Sequence, residues 1–537
     1  MESWFDAIEQ TNVTTEYDII QAFADDQIIL LTGKSLGQIE HKWAQIWTVC
    51  EKWAESYKLS YNSSKTEALF IPHKPTRAPR VRIKDDLITP SANLKYLGLT
   101  IDTGLQWLDH VKLNRQKAAD IGHKLFIIAG KDWGRKAQTL KAIYEGAIKP
   151  MLLYGAEIWG KRATDSRIAK QLAAAERPFL RAITRAYNTA PTSALHVLAG
   201  TTPLSVDALA AHLTYTEHKN TIDTHKIRTI ETQHPTARII QKLHDTTPDI
   251  RAFADASVKN IEDNTSKTIG TNIESTQTNV RTNYIIDTTG NINDLETMAL
   301  HINTENITQN ILEYQNKTIT FYTDSQIVLQ QLQDGNNRNK TIIKIKKNLE
   351  ILTKHNILYT VAKTNKNEPG HKIAHNLANQ AHLNPQNTRS VTTRQDIKQI
   401  KLNTKLNKWQ PYWNNATTGR KTYNIIQQVK LTEPKFNWKT TQLLTGHGHT
   451  QEYYNRFNLR NTNGNCTHYN TLEDQQHIIN DCTLPQRITA RQTLTNKLTQ
   501  VHMTYPPTNI DTTNKEIVEW INDWGEQMIL DDEEDDQ

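Results

Sequence analysis

The chain switches repeatedly between the two apolar periodicities of strands and helices. Two short apolar runs, Ile19–Phe23 and Ile28–Leu31, flank Ala24-Asp25-Asp26. That pattern predicts a hairpin with adjacent carboxylates at its tip. Next, Ile39, Trp43, Ile46, Trp47, Cys50, Trp53, Ala54 and Tyr57 recur at helical spacing and give one apolar face. A polar segment, Leu59–Thr66, leads to a short strand expected at Ala68–Ile71, and Leu94–Leu99 marks a later turn. From Asp109 to Leu213 the pattern is mainly helical, with Gly and Pro as punctuation in Ala147–Trp159 and Ala194–Leu204. Farther on, Phe253–Asp255 and Ile319–Asp324 read as strands ending in Asp. Between them Asp294–Leu300 reads as a helix with Glu296 beside its apolar face, and a further helix is expected at Ile327–Leu332. No repeat of fixed period is present.

Composition changes this picture in three ways. Beyond about Leu213, Asn, Thr, Ile, Gln and Lys dominate and Gly becomes scarce, a polar bias that weakens any core, although apolar periodicity persists. The net charge of +6 over 537 residues is too small to dictate a partner, so any nucleic-acid footprint must be local. Three cysteines argue against a disulfide framework and for a reducing compartment. No basic n-region precedes an apolar core at the N-terminus, and no apolar run approaches bilayer length, so no membrane partner is expected. The terminal Asp531–Asp536 run is expected to be a solvated tail.

Three groups of residues carry chemistry. Paired acids such as Asp25 and Asp26 suit hard divalent metals, although turns also favour Asp for backbone reasons. Strand-Asp255, helix-Glu296 and strand-Asp324 form a set in which carboxylates from several elements can converge on paired metals. Asp287 is an alternative first-strand acid, but it lies too close to Glu296 for an intervening hairpin. Cys466, His468, His477 and Cys482 sit in one short segment and can close a tetrahedral Zn²⁺ site, with His449 as a spare ligand. Between the last two groups, Lys398, Lys401, Lys405, Lys408, Trp409, Tyr412, Trp413, Arg420, Lys421 and Tyr423 interleave cations with aromatics. Such a stretch suits backbone contact and base stacking; a solvated helical face anchored by its tryptophans fits it equally.

The order Phe23-Ala24-Asp25-Asp26, helix, Asn62-Ser63-Ser64-Lys65, Leu94-Lys95-Tyr96-Leu97-Gly98 resembles the second half of a reverse-transcriptase palm, in particular that of non-LTR (LINE-type) retrotransposons. Tyr154-Gly155-Ala156 and Ala199-Gly200-Thr201-Thr202-Pro203-Leu204 resemble the thumb and connection that follow it. Asp324-Ser325-Gln326, with Asp255 and Glu296, resembles a ribonuclease H fold. Leu444-Thr445-Gly446-His447-Gly448 before the Cys/His segment resembles the zinc-binding end of the same polyproteins. The resemblance implies an α+β and α/β multidomain chain. Its expected parts are a partial reverse-transcriptase palm over 1–105, a helical thumb over 106–215 and a ribonuclease H-like domain over 250–385. A basic-aromatic and zinc-binding region over 395–490 and a terminal helix and acidic tail over 491–537 complete it.

By that resemblance Asp25 and Asp26 are catalytic acids at Mg²⁺, and Lys65 lies near the incoming triphosphate unless it is a solvated lysine. Lys112, Arg115, Lys117, Lys131 and Arg135 are expected phosphate contacts of the thumb. The resemblance also implies RNA, DNA and RNA–DNA hybrid as partners, a second Mg²⁺ site at Asp255, Glu296 and Asp324, Zn²⁺ in the tail, and a nuclear location. Two positions depart from the family: His375 stands where the last acid is expected, and His468 replaces a cysteine. Asp25 also lies so near Met1 that the fingers and first half of the palm are expected elsewhere, so this chain is not expected to polymerise DNA alone. A metal-dependent nuclease and a decayed, non-catalytic binding remnant both remain open.

Overall fold

The structure is a computed structural model that describes residues 2–24, 26–71, 77–127, 136–218, 247–261, 264–276, 279–334, 337, 339–390, 393–433 and 435–530. Asp25, Lys131, Arg135 and the Asp531–Asp536 run lie outside the described residues. The fold is mixed, with helices and sheets, and the chain divides into two compact units. One comprises Met1–His212 and Leu406–Gln537; the other is Leu213–Lys405.

The first unit begins with the expected hairpin. Strands β1 (Ile19–Phe23) and β2 (Asp26–Leu30) pair antiparallel with Phe23 opposite Asp26, and Ala24 turns the chain at φ 53°. The helix Leu36–Ser56, capped by the Ser35 side chain on the Gln38 N–H, buries Ile46 and Cys50 against Trp4 and Ile8 and the inner face of the hairpin. Beneath it the buried Lys42 ammonium lies 2.5 Å from Asp18, whose carboxylate also accepts from the Thr15 and Thr32 N–H groups. These partners hold Asp18 well below the usual carboxylate range despite its burial. Two more hairpins follow: β3 (Val81–Ile83) with β4 (Asp86–Ile88), and β5 (Asn93–Tyr96) with β6 (Leu99–Asp102). The strand expected at Ala68–Ile71 is reduced to a single bridge between Leu69 and Ser91, because no neighbouring strand supplies a ladder.

The helical stretch expected from Asp109 forms around a core that includes Trp107, Tyr144, Trp159, Phe179 and Leu195. A second core joins Ala194, Val197, Leu198 and Val206 to Trp409, Trp413, Leu443, Leu444, Ile521 and Trp524. The segment around Gly200 is therefore shared: its neighbours on one side feed the first core and on the other the second. Gly200 itself (φ 60°) lies so close to Thr432 that a Cβ there would meet the Thr432 carbonyl oxygen at 2.2 Å.

The second unit is a six-stranded sheet in the order β11-β10-β7-β8-β9-β12. Its strands are β7 (Ile250–Ile261), β8 (Asn264–Ser275), β9 (Asn279–Asp287), β10 (Thr318–Thr323), β11 (Leu358–Lys363) and β12 (Asn387–Ser390). β7, β8 and β9 form an antiparallel meander, while β10 joins β7 and β11 in parallel and β12 joins β9 in parallel. The helix Ile292–Gln309 starts in a capping box between Asn291 and Asp294. The helices Gln326–Gln333 and Lys340–Lys354 link β10 to β11, and Pro369–Ala381 follows β11 with Pro in its first turn. The polar bias of this region is absorbed by struts. Thr268 Oγ1 donates to the Ala378 carbonyl at 2.7 Å, Asn272 Nδ2 to that of Gly370 at 3.1 Å, and Asn303 Nδ2 to that of Phe253 at 2.8 Å. Each gives a buried polar side chain a backbone oxygen as its partner.

Candidate functional site

The candidate sites are two clusters of metal-ligating side chains, one in each unit. In the sheet unit, β7 and β10 lie side by side in parallel with Tyr322 opposite Phe253, which places their acids at the same end. Asp255 is buried on β7, and Asp324 follows the last residue of β10, just before the Ser325 cap of the next helix. Glu296 comes from the helix Ile292–Gln309 and accepts a hydrogen bond from the Ala256 N–H; its Oε2 is buried with no partner. Burial, with Asp255 and Asp324 close by, pushes the Glu296 carboxyl up to about 9. Burial likewise raises Asp255, against the opposing pull of a hydrogen bond from His375.

His375, at the position where the family resemblance expects an acid, lies half out in solvent. Its Nδ1 donates to Asp255 Oδ2 at 2.7 Å, while its Nε2 accepts from Asn379 at 3.0 Å. The structure also brings in a residue the sequence reading passed over. His371, one turn earlier on the same helix, is 3 % exposed, and its Nε2 lies 3.9 Å from Asp255 and 4.0 Å from Asp324. Asp255, Asp324 and His371 each offer a ligand atom within 4.8 Å of the other two. The signal for His371 was its spacing of four residues from His375, which puts both imidazoles on one helical face.

Glycine lets that helix approach so closely. Gly270 pairs with Asp255 across β7 and β8, and a Cβ on it would meet the Ala374 carbonyl oxygen at 2.0 Å. At Gly370 a Cβ would run into the Phe253 ring at 2.2 Å. Phe253 in turn stacks on Tyr322 with centroids 4.6 Å apart, and together they floor the acidic cluster. The alternative acid Asp287 ends β9, is exposed and stands outside the group.

The second cluster lies near the C-terminal end of the first unit. Cys466, His477 and Cys482 are all buried, with their ligand atoms within 4.8 Å of one another. A loop stapled by the Asn465–Leu472 bridge presents Cys466, whose sulfur accepts the His468 N–H. His477 Nδ1 meets Thr471 Oγ1 at 3.3 Å, and its Nε2 is buried without a partner. Arg487 donates to Cys482 Sγ at 3.3 Å and to Glu473 at 3.2 Å, holding a cation beside the thiols. His468 contributes its backbone; its side chain is exposed and outside the group. His449, the spare ligand, is engaged with the Tyr454 hydroxyl at 2.8 Å.

Other expected site residues stay apart. Asp26 is exposed at the start of β2 and, among the described residues, belongs to no group of three metal-ligating side chains. Lys65 is exposed on a short helical turn, Ser63–Lys65. Of the thumb cations, Lys112 is 3.6 Å from Asp109, and Arg115 donates to Gln171 at 2.6 Å. The basic-aromatic stretch resolves by side chain. Trp409 and Trp413 are fully buried, with Trp413 Nε1 donating to the Ile426 carbonyl at 2.9 Å, whereas Tyr412 is half exposed. The tryptophans are anchors of the core and are not available as stacking surfaces.

No protein-family model matches the chain. A 115 kDa protein of the type-1 retrotransposable element R1DM of Drosophila melanogaster is 30% identical over 199 residues, 37% of this chain and 20% of that protein. A retrovirus-related Pol polyprotein from a type-1 element, R1 4, of Nasonia vitripennis is 30% identical over 204 residues, 34% of this chain and 51% of its own length. The RNA-directed DNA polymerase of the mobile element jockey of Drosophila melanogaster is 26% identical over 155 residues, 28% of this chain and 16% of that one. The matched stretches thus span from under a fifth to about half of these relatives. Over about a third of its length, this chain is homologous to the Pol polyproteins of non-LTR retrotransposons of the R1 and jockey kind.

Proposed function

We propose that the chain is part of a retrotransposon-derived polyprotein acting on RNA and DNA, and that its sheet unit is a metal-dependent nuclease of the ribonuclease H type that cuts RNA in RNA–DNA hybrids. The observation that carries this reading is the convergence of Asp255, Glu296 and Asp324, from two strands and a helix, with two imidazoles on a fourth element. The sheet order, an antiparallel meander extended by two parallel strands on its first-strand side, supports it. The relatives named as Pol polyproteins and as an RNA-directed DNA polymerase make nucleic acid the substrate class and a divalent ion the cofactor class. Asp255, Asp324 and, once ionised, Glu296 are the residues that would hold such an ion. Bound there, it would polarise a phosphoryl oxygen and orient an attacking water. The protein's own part is to keep the acids buried and aimed, with His375 fixing one Asp255 oxygen and the Phe253–Tyr322 pair excluding water beneath.

In the same reading Cys466, His477 and Cys482 hold Zn²⁺, which closes the loop against the Arg487–Glu473 pair and makes the tail a nucleic-acid-binding surface in the nucleus. The unpartnered His477 Nε2 fits that ion.

The test is cleavage of a labelled RNA–DNA hybrid by the parent and by Asp324→Asn. The parent should cut and the variant should lose most of its activity; equal cleavage, or none in either, defeats the nuclease reading. One observation favours a non-catalytic remnant instead: His375 already occupies Asp255 with a 2.7 Å hydrogen bond where the family resemblance expects a carboxylate. That alternative requires hybrid binding without cleavage, and His375→Asp restoring cleavage would show which step was lost.

A further inference from the structure

We propose that Asp255, Asp324 and His371 bind one divalent cation of the borderline transition series, such as Co²⁺ or Zn²⁺, in preference to Mg²⁺. This rests on reading the cluster as the metal centre of the sheet unit and names the ion it selects.

The distances make the case. His371 Nε2 is 3.9 Å from an Asp255 oxygen and 4.0 Å from an Asp324 oxygen, beyond any hydrogen bond. Two metal–ligand bonds of about 2.1 Å laid end to end reach just over 4 Å, so one cation between the nitrogen and either oxygen can touch both. The imidazole is 3 % exposed, and its Nδ1 has no partner either. A buried ring with Nδ1 unsatisfied and Nε2 beyond hydrogen-bond reach of both aspartates is costly to retain unless something binds it. Glu296, 9 % exposed and with Oε2 unpartnered, is near enough to the same two aspartates to feel their charge but stands outside the group of three.

Chemistry then chooses the ion. Mg²⁺ takes an octahedral shell of oxygens and keeps several waters. Here one direct position is imidazole nitrogen, which suits Zn²⁺, Co²⁺ and Ni²⁺. His375 is excluded as the selecting ligand because it is half exposed and spends Nδ1 on Asp255, which makes it the positioning residue for that carboxylate.

The experiment uses the full chain preloaded with one equivalent of Zn²⁺, which thiolates take ahead of carboxylates. Co²⁺ is then titrated by its visible absorption, with Mg²⁺ as competitor. The parent should bind one further Co²⁺ that a hundredfold excess of Mg²⁺ (roughly two decades of selectivity) fails to displace. His371→Asn should weaken Co²⁺ by about tenfold or more, and His371→Asp should shift the Co²⁺/Mg²⁺ preference at least about tenfold toward Mg²⁺. A gain of Mg²⁺ binding requires a folded protein, so that arm is free of folding artefacts. His375→Asn, which loosens the Asp255 carboxylate that both ions share, should weaken Co²⁺ and Mg²⁺ alike. Displacement of Co²⁺ by equimolar Mg²⁺, an unaltered ratio in both His371 variants, or a ratio that moves with His375 rather than His371 overturns the proposal. A parent that selects Co²⁺ yet cuts no hybrid sinks only the nuclease reading. A parent that cuts with Mg²⁺ and shows no selectivity sinks only this one.

Discussion

The two compact units reach comparable ends by different construction. In the sheet unit, the candidate metal ligands come from β7, β10 and two helices, and the surrounding core of Ile250, Phe321, Ile345 and Val361 is complete without them. In the helical unit the thiol–imidazole cluster is closed by one loop and the turn after it, and its neighbours Ile478 and Ile479 belong to the core that holds Trp409, Trp413 and Trp524. A metal bound in the first case would be added to a finished scaffold. In the second it would be part of the scaffold. The first arrangement would leave an ion free to serve chemistry, and the second would commit it to stability.

The sharpest way to break that contrast is to remove metal from both units together. Structural zinc contributes about 10 kcal/mol or more to small zinc-bound peptides, so a chelator, or Cys482→Ser, should lower the melting temperature of the helical unit, and Cys482→Ser should remove one zinc per chain. The sheet unit should keep its own transition. If both transitions fall together, or neither moves, the distinction is lost. Next in size is Trp413→Ala, which should cost about 3–5 kcal/mol in urea unfolding because it empties a fully buried site. Tyr412→Ala, half exposed one residue earlier, should cost under about 1 kcal/mol. Equal losses of stability would return Trp413 to the surface.

That pair of neighbours also shows what a sequence can and cannot disclose here. The hairpin at Ile19–Leu30 and the helix Leu36–Ser56 were legible because their periodicities are local and apolar. So were Glu296, on a helix face, and Asp324, just past β10; Asp255 was legible as an acid on a strand, but that strand does not end there and runs on to Ile261. The strands β8 and β9 were largely hidden, since Thr268, Thr271, Asn272 and Asn283 are buried polar residues whose burial is offset by hydrogen bonds no pattern reveals. Trp409 and Trp413 fitted stacking surfaces and anchors equally because lysines surround them, and the partners that bury them lie on Ala194–Val206, far back in the chain. His371 was missed because what makes it a ligand is its distance from two acids on other elements.

In the sheet unit the close approach of the histidine-bearing helix can be tested without touching a ligand. Gly270→Ala places a methyl where the Ala374 carbonyl oxygen sits, so the helix must lift. Overpacking of this kind costs about 1–3 kcal/mol. Because Gly270 pairs with Asp255, Co²⁺ binding should weaken along with stability. A variant with parental stability and binding would show that the helix does not need its present contact.

The smallest effect expected is a pH dependence confined to the sheet unit. His301 lies on the helix that carries Glu296, is 6 % exposed, and its Nδ1 has no partner. Burial lowers it from its ordinary value of 6.5 to about 4, with Lys344 and Arg389 adding to the shift and Glu305 opposing it. A histidine depressed in the folded state is neutral there and charges on unfolding. Its contribution is complete above pH 6.5 and declines as pH falls toward 4. The loss should be about 1 kcal/mol over the first full pH unit below the ordinary value. Urea unfolding of the parent and of His301→Gln on both sides of that unit isolates the term, since carboxylates common to both proteins cancel. A parent and variant with the same slope would mean that His301 titrates alike in both states, and that this face of the helix is wetter than its burial implies.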